Sequence, residues 1–152
     1  MIKIERILFP TDFSACSEHA LKYALELARR FEAKLYLLHV LDTRIYGHLE
    51  PFANTVWSIY DAKEQAAKSI AEIIPEKERK ALQVESLVRE GTPFVEIIKF
   101  AKEAEIDLIV IGTHGRTGLT HMLMGSVAEK VVRKAPCPVL TIRPDNVDFV
   151  MP

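Results

Sequence analysis

One stretch of the sequence combines glycines and polar side chains at a spacing suited to holding a phosphate group. It reads GTHG at 112–115, then nine residues, then GS at 125–126. A backbone without Cβ atoms turns tightly and approaches a ligand closely, with its N–H groups facing outward. A helix beginning near Ser126 would add unpaired N–H donors and the positive end of its dipole. His114 and Arg116 would add charge-assisted hydrogen bonds to phosphate oxygens.

The same residues also admit a purely structural interpretation. Ser126 and Glu129 have the spacing of a capping box, in which the serine is the N-cap residue of a helix. In that case the serine only begins the helix and the glycines only form turns. The Glu129 carboxylate would also oppose an anion at the same helix terminus. Because the loop sequence alone leaves both interpretations open, its position in the fold has to decide between them.

Apolar runs of strand length alternate with helical stripes along the whole chain. Strands are predicted at 3–9, 34–41, 82–90, 107–112 and 138–143. Helices are predicted at about 14–31, 57–78, from Pro93 behind a Thr92 cap, and 126–134. Pro75 is expected to end or kink the second helix. The segments 42–56 and 113–124 show neither period and are predicted to be loops.

The order of these elements predicts an α/β fold with an open, five-stranded parallel sheet and helices on both faces, of the Rossmann-like kind. The half-polar alternation of residues 82–90 is typical of a sheet edge, so the predicted strand order is 3-2-1-4-5. The winding direction then reverses between strands one and four, where ligands bind in such sheets. Residues 10–12 and the glycine-rich loop meet there, which favours the phosphate interpretation.

Length and composition limit the possible functions. A chain of 152 residues is expected to be a single domain, here with a core at about 4–143 and a tail at 144–152. The formal net charge is −1, which argues against a nucleic-acid partner and against a polybasic membrane patch. A local site for an anion remains compatible with that charge.

The cellular location is predicted to be cytoplasmic. The first residues, MIKIERILFPTDF, are interrupted by charges and lack the apolar core of about 7–15 residues that a signal peptide needs. No apolar run approaches the roughly 20 residues of a membrane helix. Cys16 and Cys137 lie outside any C-x-x-C pattern, so both are interpreted as reduced, small apolar residues.

The sequence resembles a known protein family. The spacing Gly-x2-Gly-x9-Gly-Ser at 112–126 is similar to the nucleotide-binding pattern of the universal stress proteins. The segments ILFPTDFS at 7–14 and GSVAEKVVRKAPCPVLTIR at 125–143 also resemble that family. The likeness runs from about Ile4 to Arg143 and points to the single-domain, ATP-binding branch. It implies a fold of the adenine nucleotide alpha hydrolase-like type.

The resemblance also implies a ligand and its contacts. ATP would bind together with Mg, which would accompany the triphosphate without a dedicated protein cage. Pro10, Thr11 and Asp12 would lie beside the ribose and adenine, and Val40 would meet the adenine through its backbone. The remaining contacts to ribose and phosphates would come from Gly112, His114, Gly115, Arg116, Gly125, Ser126 and Val127. No catalytic residue and no protein metal ligand is assigned.

Two of the polar residues have alternative interpretations as structural groups. Asp12 follows a strand and would be an ordinary cap of the next helix, but its position at the switch point favours a site role. His39 lies within an apolar strand and is interpreted as a hydrogen-bonded buried residue rather than a ligand. The family also tends to form homodimers through its last strand. Residues 139–142 form an apolar edge with little charge to protect it, and such edges are usually paired or covered.

Three functions remain to be compared. The leading one is a stress-response module that binds ATP, changes the ordering of the 42–56 and 113–124 loops, and so modulates contacts with unknown protein partners. The second is a slow ATPase or phosphotransferase. It is disfavoured because the chain lacks a G-x-x-x-x-G-K-[ST] loop and offers only Asp12 or His114 as a weak general base. The third is an interaction protein that binds no nucleotide.

Overall fold

Five parallel strands form one sheet in the computed structural model, which describes residues 1–46, 55–115 and 124–144. The strands are β1 (Arg6–Pro10), β2 (Lys34–Asp42), β3 (Val84–Gly91), β4 (Leu108–Gly112) and β5 (Val139–Ile142). Their order is β3-β2-β1-β4-β5, and every neighbouring pair is parallel. The predicted strand order and the Rossmann-like α/β class are thereby confirmed, with β3 and β5 as the two edges.

Helices cover both faces of the sheet. They are α1 (Ala15–Phe31), α2 (Thr43–Tyr46), α3 (Thr55–Glu72), α4 (Glu76–Ala81), α5 (Pro93–Glu103) and α6 (Ser126–Lys134). The helices α1 and α3 pack against one face, and α5 and α6 pack against the other. In the described part of the chain, no helix has both the length and the apolar character that spanning a membrane requires.

Three boundaries of helices and strands differ from, or refine, the prediction. The helix predicted at about 57–78, with an end or kink at Pro75, is interrupted there: α3 ends at Glu72, and α4 begins at Glu76 with Pro75 as its N-cap. A proline lacks the N–H that a helix interior needs, whereas the start of a helix tolerates it. The strand β2 extends to Asp42 and is followed directly by α2, so residues 42–46 are not the loop that was predicted there, and residues 47–54 lie outside the described residues. Pro93 begins α5 behind Thr92 as predicted, although Thr92 caps through its carbonyl oxygen rather than its side chain.

The core surrounds the central strand β1. Ile7, Leu8 and Phe9 have no exposed surface. Because successive side chains of a strand point to opposite faces, Ile7 and Phe9 pack toward α1 while Leu8 packs toward α5 and α6. This burial on both faces explains the continuous apolar run in the sequence. It also fixes the carboxyl end of β1, where the candidate site begins.

Both cysteines are free thiols, as the sequence indicated. Cys16 is buried in α1, and Cys137 is partly buried just before β5. Burial, with a smaller contribution from the Asp107 carboxylate, raises the pKa of the Cys137 thiol, so less of the reactive thiolate is present at neutral pH.

We therefore expect both thiols to react slowly with a disulfide reagent such as dithionitrobenzoate in the native protein. Unfolding in guanidinium removes the burial and gives the reagent access to both sulfur atoms, so the rate of reaction should then rise. The released thionitrobenzoate is followed by its absorbance. Rapid reaction of both thiols before unfolding would contradict the burial described here.

Candidate functional site

The strands β1 and β4 lie side by side, and the chain continues beyond both at the same end of the sheet. Their register pairs Ile7 with Leu108 and Leu8 with Ile109. The winding direction of the sheet reverses between these two strands, as predicted. Two segments meet there: the β1 turn (residues 11–14) and the β4 loop (residues 113–125, of which 113–115 and 124–125 are described).

The β1 turn is tied to its surroundings through Thr11. The Thr11 N–H donates to the carbonyl of Leu38 at 2.9 Å, so the contact with β2 continues one residue past β1. The Thr11 hydroxyl oxygen accepts from the N–H of Phe13 at 3.1 Å and from the hydroxyl of Ser17 at 2.8 Å. Phe13 has a φ of 62°, in the left-handed region, which reverses the chain into α1. The turn is thus defined by hydrogen bonds on both sides of Asp12.

Asp12 does not cap the following helix. The N-cap of α1 is Ser14, whose side chain accepts from the Ser17 N–H at 3.2 Å. One Asp12 oxygen, Oδ1, accepts from the Ser14 N–H at 3.0 Å. The other, Oδ2, lies 2.8 Å from the position that a Cβ atom on Gly115 would occupy. The helix-cap interpretation of Asp12 is therefore wrong, and its carboxylate faces the β4 loop.

Each of the three glycines lies close to another segment of the chain, Gly112 and Gly125 to its backbone and Gly115 to the Asp12 side chain. A Cβ atom on Gly125 would lie 3.1 Å from the carbonyl oxygen of Thr113 and 3.7 Å from the nitrogen of Gly115. A Cβ atom on Gly112 would lie 2.9 Å from the Cys16 sulfur of α1. Distances below 3.0 Å are essentially absent between real Cβ atoms and their neighbours. A larger side chain at Gly112 or Gly125 would push backbone segments apart, whereas one at Gly115 would meet the end of the Asp12 side chain.

The two ends of the β4 loop are joined to each other and to the sheet. The Thr113 N–H donates to the carbonyl of Ile142 in β5 at 2.9 Å. The Gly125 N–H donates to the carbonyl of Thr113 at 2.5 Å, which brings the start of α6 against the end of β4. The Thr113 hydroxyl lies 2.8 Å from Nδ1 of His114. The site therefore has a fixed floor made of backbone.

The helix α6 begins at Ser126 with Gly125 as its N-cap, and no side chain among the described residues caps it. The capping box predicted from Ser126 and Glu129 is wrong, because the Glu129 N–H donates to the carbonyl of Gly125 at 3.0 Å and Ser126 is already helical. The Glu129 carboxylate pairs with Arg133 at 2.9 Å, one turn further along the helix. The first N–H groups of α6 consequently keep their capacity to bind an anion.

The structure locates the other predicted site residues as follows. Pro10 is the last residue of β1 and pairs with Leu38 of β2. Val40 lies two residues further along β2, half-buried, at the same end of the sheet. Val127 occupies the first turn of α6 next to Ser126. Arg116 lies outside the described residues, so its predicted role stays a prediction.

Sequence reasoning missed one residue of this region and interpreted another correctly. Ser17 is buried in α1 and donates to Thr11, a role not assigned from the sequence. The sequence does contain a signal for this role. Ser17 lies three residues before Ala20 and four before Leu21, so it is a polar residue on the apolar face of the helix. His39 is a hydrogen-bonded buried residue as predicted, since its Nδ1 lies 2.8 Å from the Thr11 carbonyl oxygen.

One carboxylate at this end of the sheet, that of Asp42, is neutralised by an ion pair with Arg44. The Arg44 guanidinium, hydrogen-bonded to Asp42 at 2.8 and 2.6 Å, holds the pKa of that carboxyl below its usual range. The described residues contain no group of three or more His, Cys, Asp or Glu side chains that would hold a metal ion. In the described part of the site, backbone N–H groups and the start of α6 supply positive potential for an anion.

Comparison with known proteins finds relatives over nearly the whole chain. The model of the universal stress protein family matches residues 3–143. A universal stress protein of Methanocaldococcus jannaschii is 36% identical over 141 residues, which cover 91% of this chain and 82% of the relative. A second universal stress protein of the same organism is 32% identical over 159 residues, covering 95% and 98%.

Solved structures show the same likeness in three dimensions. A universal stress protein from Lactobacillus plantarum has a TM-score of 0.80 and 30% identity, covering 93% of this chain and 99% of that one. A universal stress protein from Archaeoglobus fulgidus, solved in complex with dAMP, has a TM-score of 0.61 and 29% identity, covering 93% and 99%. The family model, which matches residues 3–143, includes the strands and helices that surround the β1 turn and the β4 loop.

Proposed function

This chain belongs to the universal stress protein family, and we propose that it binds ATP where the β1 turn meets the β4 loop. The observation that carries the proposal is the backbone cradle at that junction. Gly115 and Gly125 lie where a Cβ atom would collide with the opposite segment, and the start of α6 is beside them without a side-chain cap. The Archaeoglobus relative solved with dAMP supports an adenine nucleotide as the ligand.

The chemistry of the cradle matches the different parts of the nucleotide. Backbone N–H groups and the positive end of α6 suit the phosphates, which explains how a chain of net charge −1 would hold a polyanion. A carboxylate accepts hydrogen bonds and donates none, so Asp12 suits ribose hydroxyls rather than phosphate oxygens. Pro10, Thr11 and the backbone of Val40 would complete the contacts to ribose and adenine. The remaining phosphate contacts are assigned to Gly112, His114, Gly115, Arg116, Gly125, Ser126 and Val127.

Magnesium would enter with the triphosphate. The residues present fit that arrangement, because Mg²⁺ usually keeps several waters and takes one or two carboxylates together with phosphate oxygens. Asp12 is assigned to the ribose, so the ion would be held by phosphate oxygens and water rather than by a dedicated set of protein ligands, with the Asp12 carboxylate nearby. The ion would reduce the repulsion between that carboxylate and the phosphates.

The output of binding is proposed to be a change in surface rather than a chemical reaction. The segments 42–56 and 113–124 lie at the ends of β2 and β4 on the nucleotide side of the sheet, so a bound nucleotide would change their ordering and thereby modulate contacts with protein partners. A cytoplasmic location belongs to the same proposal, since the two free thiols would stay reduced there. The chain would act as a single domain.

A homodimer through β5 is the second part of the proposal. β5 is an edge of the sheet, and Leu140 within it is 37% exposed. Val132, on the helix α6 that precedes β5 in the chain, is also exposed, at 45%. An unprotected apolar edge pairs readily with another strand, and a second copy of the same edge is the simplest partner.

Equilibrium binding of ATP with Mg²⁺ to the purified protein tests the central proposal. We expect a dissociation constant below about 1 mM, the range in which ligand binding stabilises a protein measurably at cellular nucleotide concentrations. Isothermal titration calorimetry provides the measurement, and GTP and inorganic triphosphate serve as controls for the base and the nucleoside. Absence of ATP binding at millimolar concentration would contradict the proposal.

A further inference from the structure

Buried polar side chains occur at one end of the molecule only, as far as the described residues extend. They are Thr11, Ser17, His39 and Thr113. All four lie at or beside the carboxyl ends of β1, β2 and β4, whereas the rest of the buried core in the described ranges is apolar. Burying a polar group is unfavourable unless it is hydrogen-bonded, so each such group in a core needs an explanation.

The hydrogen bond of His39 fixes one peptide plane of the β1 turn. Its Nδ1 lies 2.8 Å from the carbonyl oxygen of Thr11, and because a carbonyl only accepts, Nδ1 must carry the proton. The carbonyl and the following N–H point in opposite directions across a trans peptide bond. Anchoring the Thr11 carbonyl on His39 therefore turns the Asp12 N–H away from His39.

The hydroxyl of Ser17 fixes the other side of the same turn. It donates at 2.8 Å to the Thr11 hydroxyl oxygen, which also accepts from the N–H of Phe13 at 3.1 Å. Phe13 adopts a left-handed φ of 62°, a conformation that bulky residues rarely take unless their surroundings hold them there. Its ring packs on the His39 ring with centroids 4.5 Å apart. Ser17 and His39 thus converge on one turn from two different elements.

We propose that His39 and Ser17 are positioning residues of the nucleotide site. They hold the β1 turn in the one conformation that directs the Asp12 carboxylate toward Gly115, and they do so without contacting the ligand. The inference rests on the proposed function, because it assigns these residues to the same ATP site. Both hydrogen bonds end on atoms of the turn rather than on another core element, which separates this role from general stabilisation of the sheet.

Four variants separate positioning from stability. His39→Leu removes the donor and keeps an apolar side chain, while His39→Asn keeps an N–H donor attached at the same Cγ position as Nδ1. Ser17→Ala removes the hydroxyl. Ile70→Val is the matched control, because it removes one methylene from the core beneath α3 and leaves the turn untouched.

Two readouts are taken at a temperature at which circular dichroism shows every variant to be folded. Affinity for ATP with Mg²⁺ is measured by calorimetry. Hydrogen exchange of the Phe13 amide, which donates to Thr11 in the native turn, is measured by NMR. We expect His39→Leu and Ser17→Ala each to lose about tenfold in affinity, the effect of one lost hydrogen bond. Their Phe13 amides should exchange faster, and His39→Asn should recover most of the affinity.

The outcomes distinguish this inference from the function on which it rests. A wild-type protein that binds no ATP overturns the proposed function, and the positioning role falls with it. A wild-type protein that binds, with affinity unchanged in Ser17→Ala and His39→Leu, overturns the positioning role alone. An equal loss in Ile70→Val overturns it as well, since the effect would then follow stability rather than the turn. If His39→Leu does not fold, Ser17→Ala and His39→Asn carry the test.

Discussion

Replacement of Gly115 by valine is expected to abolish ATP binding while the protein stays folded. A Cβ atom at this position would lie 2.8 Å from Oδ2 of Asp12, so the added side chain must displace the carboxylate or occupy the space where the backbone approaches the ligand. Gly115 does not have the positive φ that Gly91 has, so its backbone accepts a side chain without conformational strain. The atom that the new side chain would meet is the end of the Asp12 side chain rather than backbone, so the carboxylate can shift, at the expense of its hydrogen bond from the Ser14 N–H, and the fold absorbs the change.

Calorimetric titration with ATP and Mg²⁺ measures this effect. We expect the affinity to fall more than about 100-fold, which corresponds to roughly 2.7 kcal/mol at 25 °C. Gly115→Ala provides a graded comparison, because its single methyl group displaces Asp12 but fills less of the cradle. The thermal midpoint of both variants should stay within a few degrees of the wild type. An unchanged affinity in a folded Gly115→Val variant would show that the nucleotide binds elsewhere.

The second large effect is expected at the free edge of the sheet. Leu140→Lys should convert the proposed dimer into a monomer, because a charged side chain on an edge strand opposes pairing with another strand. Leu140 is partly exposed and lies opposite Val110 of β4, so the longer polar side chain can reach solvent in the monomer. The fold of the single chain should therefore survive the substitution.

Light scattering coupled to size-exclusion chromatography measures the mass in solution. The wild type should elute with twice the chain mass of 17.2 kDa, and Leu140→Lys with the single mass. Tyr60→Lys is the control, since Tyr60 is an exposed aromatic residue of α3 on a different part of the surface. A monomeric wild type would refute the dimer, and a dimeric Leu140→Lys variant would refute β5 as its interface.

The topology was predictable because the burial of a strand determines its pattern of apolar and polar residues. Strands covered on both faces, such as 107–112, read as continuous apolar runs, while the edge strand β3 reads as a half-polar alternation. Once one edge is known, alternating strands and helices with right-handed crossovers leave few possible orders. The switch point followed from that order, and it correctly brought the β1 turn against the glycines of the β4 loop.

The details that failed depend on contacts between distant residues. Ser126 and Glu129 have the spacing of a capping box, but the Gly125 N–H is bonded to Thr113, and that contact decides which residue becomes the N-cap. The link from Ser17 to Thr11 likewise depends on how α1 folds back beside β1. Periodicity reports which face of an element is buried, whereas hydrogen-bond partners follow from register and chain reversal, which a single sequence does not display.

The hydrogen bond between Gly125 and Thr113 also allows the surface near the site to change in evolution while the site itself is retained. It closes the segment 114–124 at its base, with one end on β4 and the other on α6. The entropy of closing a loop rises slowly with length, by about 0.6 kcal/mol for each doubling. Relatives can thus lengthen, shorten or rewrite the part of this segment beyond the cradle glycines at little thermodynamic cost while the floor of the cradle stays in place. The segment can therefore evolve to recognise different protein partners while the residues of the cradle stay the same.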